Sequence, residues 1–389
     1  MAGILVTSAP QVFQTLAERY DNAVFEPSSA GCRVRLTVSE DASWDAVLVD
    51  GGAHVLPAAG NADATVTADA RTWRAIPGDV RAAMRAHLSG RLEIRRNLHL
   101  GVGFLAATTG QEDPAQLRFR TVATRQARLS TLEAGSGPAV VAVHGLGGTK
   151  GSFLPTVTAL ADGYRVIAPD LPGFGDSDKP LAAAYDPRYF AAVVVDLLDA
   201  LGIERAHLIG NSLGGRVALE VAMRHPDRVG RLALLAPSLA WKRQRGLAPL
   251  LRIVRPELGL VQFTPRPVVE TIVHRLIPAA DDGWAAAGVD EFLRAFLTPA
   301  GRAAFYAAAR HIYLDEPDGS NGFWPRLREL PAEALFIWGR RDRLVPIAFA
   351  RHVAEALPAA RHLELDCGHV PQVERPRQTH AAIRAFLRS

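Results

Sequence analysis

The sequence predicts an α/β protein: a mostly parallel sheet with helices on both faces, interrupted by a helical cap and preceded by a small α+β layer. Three observations carry this. Short β-rich runs recur at Ala139 to Val143, Val166 to Ala168, His207 to Ile209, Leu232 to Leu235, Ala334 to Trp338 and His362 to Leu365, with helical periodicity between them. Between about 238 and 325 no strand pattern is evident, although that stretch holds 10 of the 27 aromatic residues. Finally, 389 residues is well over twice the roughly 150 of a typical domain, so two domains are expected.

The first of these occupies residues 1–112. Val34 to Val38, Trp44 to Val49 and Ala64 to Thr67 alternate as strands, with Asp50-Gly51-Gly52 as a turn. Helices are expected over Arg71 to Ile76 and about Asp79 to Leu88, then a strand over Arg91 to Ile94. Residues 113–117, in the segment Thr-Gly-Gln-Glu-Asp-Pro-Ala-Gln, form the linker. The second domain, 118–389, carries the parallel sheet, with the cap at about 238–325.

Composition removes several classes. The 48% hydrophobic and 22% charged fractions are those of a globular chain, and no run approaches the roughly 18 apolar residues of a membrane span. The first ten residues lack a basic start and a long apolar core, so the cytoplasm is the expected location. Two cysteines, Cys32 and Cys367, support neither a disulfide framework nor a cysteine-rich metal site. The basic residues are nearly all arginine, and no basic helix with interleaved aromatics suggests nucleic acid. Gly101-Val102-Gly103-Phe104-Leu105-Ala106 fits G-x-G-x-x-A without a βαβ setting, and Lys150-Gly151-Ser152 reverses the order of a phosphate loop, so no nucleotide, and no other cofactor, is expected.

Chemistry concentrates at the ends of the predicted strands. Gly210-Asn211-Ser212-Leu213-Gly214 lies between a strand and the helical run Arg216 to Met223, the setting of a nucleophile elbow. Glycines flank the serine where any Cβ would clash, and Ser212 projects as the nucleophile. Asp342, after Leu335 to Trp338, and His369, after His362 to Leu365, supply an acid and a base in the required chain order. His144-Gly145-Leu146-Gly147-Gly148 offers the Leu146 N–H as one oxyanion donor, with Leu213 N–H as the other. His144, Asp170 and Asp176 are read as bracing their own loops.

Residues 118 to 389 closely resemble the α/β-hydrolase fold family, through His144-Gly145-Leu146-Gly147, Asp170-Leu171-Pro172-Gly173-Phe174-Gly175-Asp176-Ser177-Asp178, Gly210 to Gly215, Trp338-Gly339-Arg340-Arg341-Asp342 and Cys367-Gly368-His369. The resemblance implies the triad Ser212, Asp342 and His369 and a covalent intermediate. Serine at the elbow argues against epoxide hydrolases and haloalkane dehalogenases, which carry aspartate there. The elbow is similar to that of carbon–carbon bond hydrolases of ring-cleavage products, although those usually place Trp after the histidine, where this chain has Val370. Residues 10 to 108 resemble the sterol-carrier-protein lipid-binding family, through Trp44, Asp50-Gly51, Ala62 to Thr67 and Ala86 to Ile94; where that family has Gly-Asp, this chain has Arg96-Asn97.

These features predict a serine esterase for a hydrophobic, lipid-like acyl group, metal-free, with Trp241, Phe263, Phe296, Trp324 and Val370 lining the substrate pocket. The first domain is expected to hold a lipid ligand. From Pro237 to Ala279 there are seven basic residues against two acidic ones, which predicts peripheral contact of the cap with an anionic membrane surface or contact with an acidic group of the substrate. Three other readings share the residues: a carbon–carbon hydrolase of ring-cleavage diketone acids, needing a cap arginine such as Arg275 or Arg326; a cofactor-free perhydrolase; and a non-catalytic lipid-binding protein.

Overall fold

The computed structural model describes residues 9–27, 29–39, 42–78, 81–109, 114–241, 255–262, 265–276, 283–319 and 321–389. The chain forms two units: residues 1–120 with 279–291, and residues 121–278 with 292–389.

In the first unit β1 (Cys32–Val38), β2 (Ser43–Val49), β3 (Gly52–Pro57), β4 (Ala64–Ala68) and β5 (Leu92–Arg95) make a sheet in the order β3-β2-β1-β4-β5. Val34, Leu36, Ala64 and Val66 bury one face, as their alternation predicts. The sequence reading missed β3, an edge strand without a buried residue, whose alternation carries no burial signal. α1 (Gln11–Glu18) buries Phe13, which packs edge-on against Trp73 at 4.9 Å and tilted against Trp44 at 5.7 Å. Asp69 caps α2 (Ala70–Ala75) through Thr72 N, and α3 (Ala82–Leu88) follows, with residues 79 and 80 of the expected helix outside the described ones.

The glycine-rich fingerprint lies within α4 (Leu98–Ala107), a helix buried almost all round, which is why no polar face announced it. A Cβ at Gly101 would stand 2.5 Å from Ile94, and one at Gly103 would run into the Phe25 ring, so these glycines serve close packing. Arg96 takes a left-handed φ of 70°, and the Asn97 side chain caps α4 at Leu100 N. Asp290 accepts from Arg96 N and Arg95 Nε at 2.8 Å each, and Glu291 accepts from Leu98 N at 2.7 Å. Ala83, Met84, His87, Ile94, Val102 and Leu105 line a small cavity of about 20 Å³.

The second unit is built on β6 (Arg118–Ala123), β7 (Arg128–Ala134), β8 (Ala139–Val143), β9 (Arg165–Pro169), β10 (Ala206–Asn211), β11 (Val229–Leu235), β12 (Ala334–Gly339) and β13 (Arg361–Leu365). Their order is β13-β12-β11-β10-β8-β9-β7-β6. The six strands from β8 to β13 pair in parallel, and β7 runs antiparallel to β9. Because the six are parallel, the loops after β8, β10, β12 and β13 leave from one edge of the sheet, the edge where ligands meet open α/β sheets. Helices α5 (Leu154–Leu160), α6 (Pro187–Ala200) and α7 (Leu213–Arg224) flank the sheet; α7 starts directly after Ser212.

Between β11 and β12 the described residues form helices and no strand: α8 (Leu258–Val261), α9 (Arg266–Leu276), α10 (Gly283–Phe296), α11 (Pro299–Leu314) and α12 (Phe323–Arg328). After β12 come α13 (Phe349–Ala356), α14 (Pro371–Glu374) and α15 (Pro376–Arg388). Among the described residues no helix is long and apolar enough to cross a membrane.

Candidate active site

The turn after β10 is tight. A Cβ at Gly210 would strike the Gly214 carbonyl, and one at Gly214 would strike Val143 O. Ser212 sits at φ 54°, a conformation that costs a non-glycine residue about 1–3 kcal/mol and persists only where the surroundings enforce it. Two main-chain bonds do so: Ser212 N donates to Leu235 O at 3.0 Å, and Ser238 N donates to Ser212 O at 2.9 Å. The first N–H groups of α7, Leu213 included, have no acceptor within their own helix.

Asp342 and His369 meet as their positions on adjacent strands predict. Asp342 Oδ1 accepts from Leu344 N at 2.8 Å and Val345 N at 2.9 Å, which turns Oδ2 toward His369 Nδ1, 2.7 Å away. The carboxylate is fully buried and the imidazole is 15% exposed. With Nδ1 engaged, Nε2 remains for a proton. Asn211 Nδ2 donates to His369 O at 3.0 Å, tying the histidine loop to the residue before Ser212. Glu374 grips both sides of the histidine, accepting from Gly368 N at 2.7 Å and Val370 N at 3.0 Å. This residue was missed, and its G-H-x-x-x-x-E spacing becomes meaningful only once α14 folds back. Burial and Glu374 push the Cys367 thiol up to about 12, so it is inert as a nucleophile. The alternative acids are committed elsewhere: Asp315 pairs with Arg216 at 2.8 Å, and Asp366 with Arg341 at 3.0 Å.

The loop after β8 approaches the serine: a Cβ at Gly145 would stand 3.0 Å from Ser212 Cβ. His144 Nε2 accepts from Leu171 N at 2.9 Å, which leaves its Nδ1–H to donate to Gly145 O at 2.8 Å. Burial holds this imidazole below its ordinary pKa, consistent with a neutral brace. Leu146 is half-buried against the core.

Beneath the loop lies an ion cluster. Lys150 Nζ meets Asp170 at 2.6 Å and Asp176 at 3.0 Å, and Lys150 N and Asp176 N also donate to Asp170. Burial opposes the Lys150 charge, but the two carboxylates overcome it and raise its pKa; burial likewise opposes ionisation of Asp170, and Lys150 overcomes it. Arg294 grips Asp176 from α10 through two nitrogens, at 2.7 and 3.1 Å. Lys150 and Arg294 were not anticipated as partners, since each depends on a distant residue.

The expected pocket residues separate. Phe296 is buried, stacked on Phe292 at 5.1 Å and edge-on to Phe305 at 5.2 Å. Phe292 and Phe305 crowd Gly147, where a Cβ would come within 2.8 and 3.2 Å of their rings. Trp324 is a correction: it is 1% exposed, packed on Phe323 and Phe349, and its Nε1 donates to Ala240 O, which makes it core. Trp241 is half-buried edge-on against Phe349 at 4.8 Å. Val370 is half-buried with its N–H held by Glu374. Phe263 lies outside the described residues.

Arg326 is a second correction. It makes bonds of 2.9 and 2.7 Å to Glu220, in a cluster with Arg216, Arg224 and Asp315, and so is committed to a protein carboxylate. Burial opposes ionisation of Glu220, yet its arginines hold it at about 2. The Arg275 side chain lies outside the described residues.

Strand order, elbow and acid–histidine pair together define an α/β-hydrolase. The family model described as alpha/beta hydrolase fold matches residues 138–251. A 2-hydroxy-6-oxo-6-phenylhexa-2,4-dienoate hydrolase of Burkholderia cepacia is 34% identical over 260 residues, 64% of this chain and 86% of that one. A 2-hydroxymuconate semialdehyde hydrolase of Pseudomonas sp. strain CF600 is 31% identical over 278 residues, 67% and 90%. Among solved structures, a bacterial membrane phospholipase A is 29% identical with TM-score 0.58, covering 82% of this chain and 93% of that one. The chain belongs to the alpha/beta hydrolase fold family.

Proposed function

We propose that this protein is a serine hydrolase that cleaves the carbon–carbon bond of a vinylogous diketone acid produced by aromatic ring cleavage. The observation that carries the choice over an ester is the agreement of relatives at 31–34% identity, which are hydrolases of such dienoates. They favour this reading over the esterase expected from the sequence.

In this reading His369 Nε2 takes the Ser212 proton as Oγ attacks the keto carbon, and Asp342 fixes the imidazole tautomer and stabilises its cation. Leu146 N–H and Leu213 N–H receive the oxyanion, aided by the amino end of α7. Collapse breaks the carbon–carbon bond; its electron pair passes into the conjugated dienolate of the departing acid, and a proton from His369 completes that product. Water, deprotonated by His369, then releases the acyl group from Ser212. Phe292, Phe296 and Phe305 form the apolar wall beside the acyl group.

A second reading, an ester hydrolase for lipid-like acyl groups, is favoured by the phospholipase likeness, whose 82% coverage exceeds that of the dienoate hydrolases. One experiment separates the two. The phenyl dienoate, followed by loss of its conjugated absorbance, is compared with p-nitrophenyl esters from acetate to palmitate, with Ser212→Ala in parallel. The proposal expects kcat/KM for the dienoate at least about tenfold above any ester, vanishing in the variant. Rapid long-chain ester cleavage without dienoate turnover would put the second reading first. The lipid ligand of the first unit and the anionic membrane contact of the cap remain proposals, each testable by binding of the full chain to vesicles.

A further inference from the structure

We propose that the Arg294–Asp176 ion pair is a latch that holds the cap's aromatic wall over the loop at residues 144–148, with Arg294 as a positioning residue for substrate selection at Ser212. The selection part rests on the proposed function; the latch itself does not.

The geometry is continuous from ion to nucleophile. Arg294 is in the last turn of α10, and its two nitrogens close on the two oxygens of Asp176 at 2.7 and 3.1 Å, a fork geometry that fixes orientation as well as distance. Asp176 is also held by Lys150 Nζ, which shares its Oδ2 at 3.0 Å, and by its own N–H on Asp170 at 2.9 Å, so the cap grips a residue that is anchored independently of it. Lys150 ends the same loop that begins at His144, and its backbone N–H is bound to Asp170 at 2.6 Å. The latch therefore attaches to the footing of the oxyanion loop itself.

Two residues before Arg294, Phe292 crowds Gly147, and Phe305 of α11 borders the same position. Gly147 adopts φ 73°, and a side chain there would collide with Phe292 at 2.8 Å, so wall and loop are fitted to each other. A second contact repeats the fit: a Cβ at Gly173, in the loop carrying Asp176, would meet Ala304 of α11 at 2.6 Å. Gly145, two residues before Gly147, borders Ser212 Cβ. Releasing Arg294 thus loosens the wall that a bulky acyl group would touch, and leaves the Asp342–His369 pair on its own strand ends.

The test uses the full chain as Arg294→Met, Arg294→Lys, Asp176→Asn and the Arg294→Met/Asp176→Asn double variant. Amide hydrogen exchange is expected to accelerate about tenfold or more at residues 145–148 and 300–306 in Arg294→Met, less in Arg294→Lys, and to stay at the native rate in β10 and α15. The double variant should exchange no faster in these segments than the faster single one. KM for a phenyl-bearing substrate should rise about tenfold with kcat within about threefold, while KM for an acetyl ester moves less. Unchanged exchange, or acceleration spread evenly over the second unit, overturns the latch. Equal changes for large and small substrates overturn the selection role. If the native protein turns over neither substrate, the functional reading falls and exchange alone decides the latch.

Discussion

Ser212, Asp342 and His369 sit on turns at the carboxyl ends of β10, β12 and β13 and are fixed largely by main-chain contacts: Leu235 O and Ser238 N on the serine, Leu344 N and Val345 N on the aspartate, and Asn211 Nδ2 on the histidine carbonyl. Phe292, Phe296 and Phe305 ride on helices secured by the charged side chains Arg294 and Asp176, with Arg216, Glu220, Asp315 and Arg326 at the far end of α11. Ser212 and Asp342 are held by backbone, whose geometry changes little when one side chain is altered, while the His369 loop is held at its backbone by the Asn211 and Glu374 side chains. The aromatic wall proposed to meet substrate is held by ion pairs, each of which is lost when one member is removed. A substitution on the strand-end side should therefore cost rate before stability, and one among the ions should cost stability or selection before chemistry.

The largest effect separates these directly. Ser212→Ala should lower kcat by about a million-fold, with the thermal midpoint unchanged or raised because alanine removes a polar side chain without emptying the core. Asp342→Asn, which keeps shape and Leu344 N–H acceptance but favours the wrong imidazole tautomer, should cost about ten-thousandfold in kcat. Rate measurements beside thermal melts check both; parallel loss of folding would break the contrast.

Lys150→Met addresses the opposite side. It leaves Asp170, fully buried, without its ammonium partner, and should destabilise by about 3–5 kcal/mol, as removal of one member of a buried pair does. Denaturant unfolding measures it. A loss under 1 kcal/mol with native activity would show that the ions are dispensable and remove the contrast from that side.

How legible each side was follows from the same physics. The proposed triad residues could be read because each lies within a few residues of a strand end, and the adjacent parallel strands β12 and β13 bring Asp342 to His369. The loop glycines announced themselves because a missing Cβ is a local requirement. Arg294, Lys150 and Glu220 could not be assigned, because a charged residue looks alike in sequence whether it faces water or an opposite charge, be it 20 positions away as Asp170 is from Lys150 or 118 as Asp176 is from Arg294. Trp324 misled for a related reason: an aromatic in a cap segment reads the same as pocket or core until its indole N–H is seen bound to Ala240 O. α4 and β3 escaped because one is buried almost all round and the other has no buried residue, so neither shows an alternation of buried and exposed faces.

Acid should distinguish the two modes of support by the pH at which each gives way. His380 of α15 is buried and bonded to Thr156 Oγ1 of α5 at 2.9 Å, and burial, with Arg384, lowers its pKa to about 4 from an ordinary 6.5. The unfolded chain takes up this proton first, so the stability tied to neutral His380 is complete above pH 6.5 and is lost as pH falls toward 4, to a total of about 3 kcal/mol. Glu220 has the carboxylate sign: its contribution is complete above about pH 4.5 and is lost only as pH falls toward 2. Asp315, lifted by burial, binds its proton more readily when folded, so mild acid adds stability through it. The helices behind the strand-end loops should thus weaken before the cap's ion pairs do. Unfolding free energies at pH 7, 5.5 and 4.5 for the native chain and His380→Gln test this. His87 of the first unit, held at about 4 chiefly by burial, contributes a parallel slope that His380→Gln leaves in place. The variant should therefore show a shallower fall than the native protein, and an identical slope would show that His380 is not the group through which acid acts on the second unit.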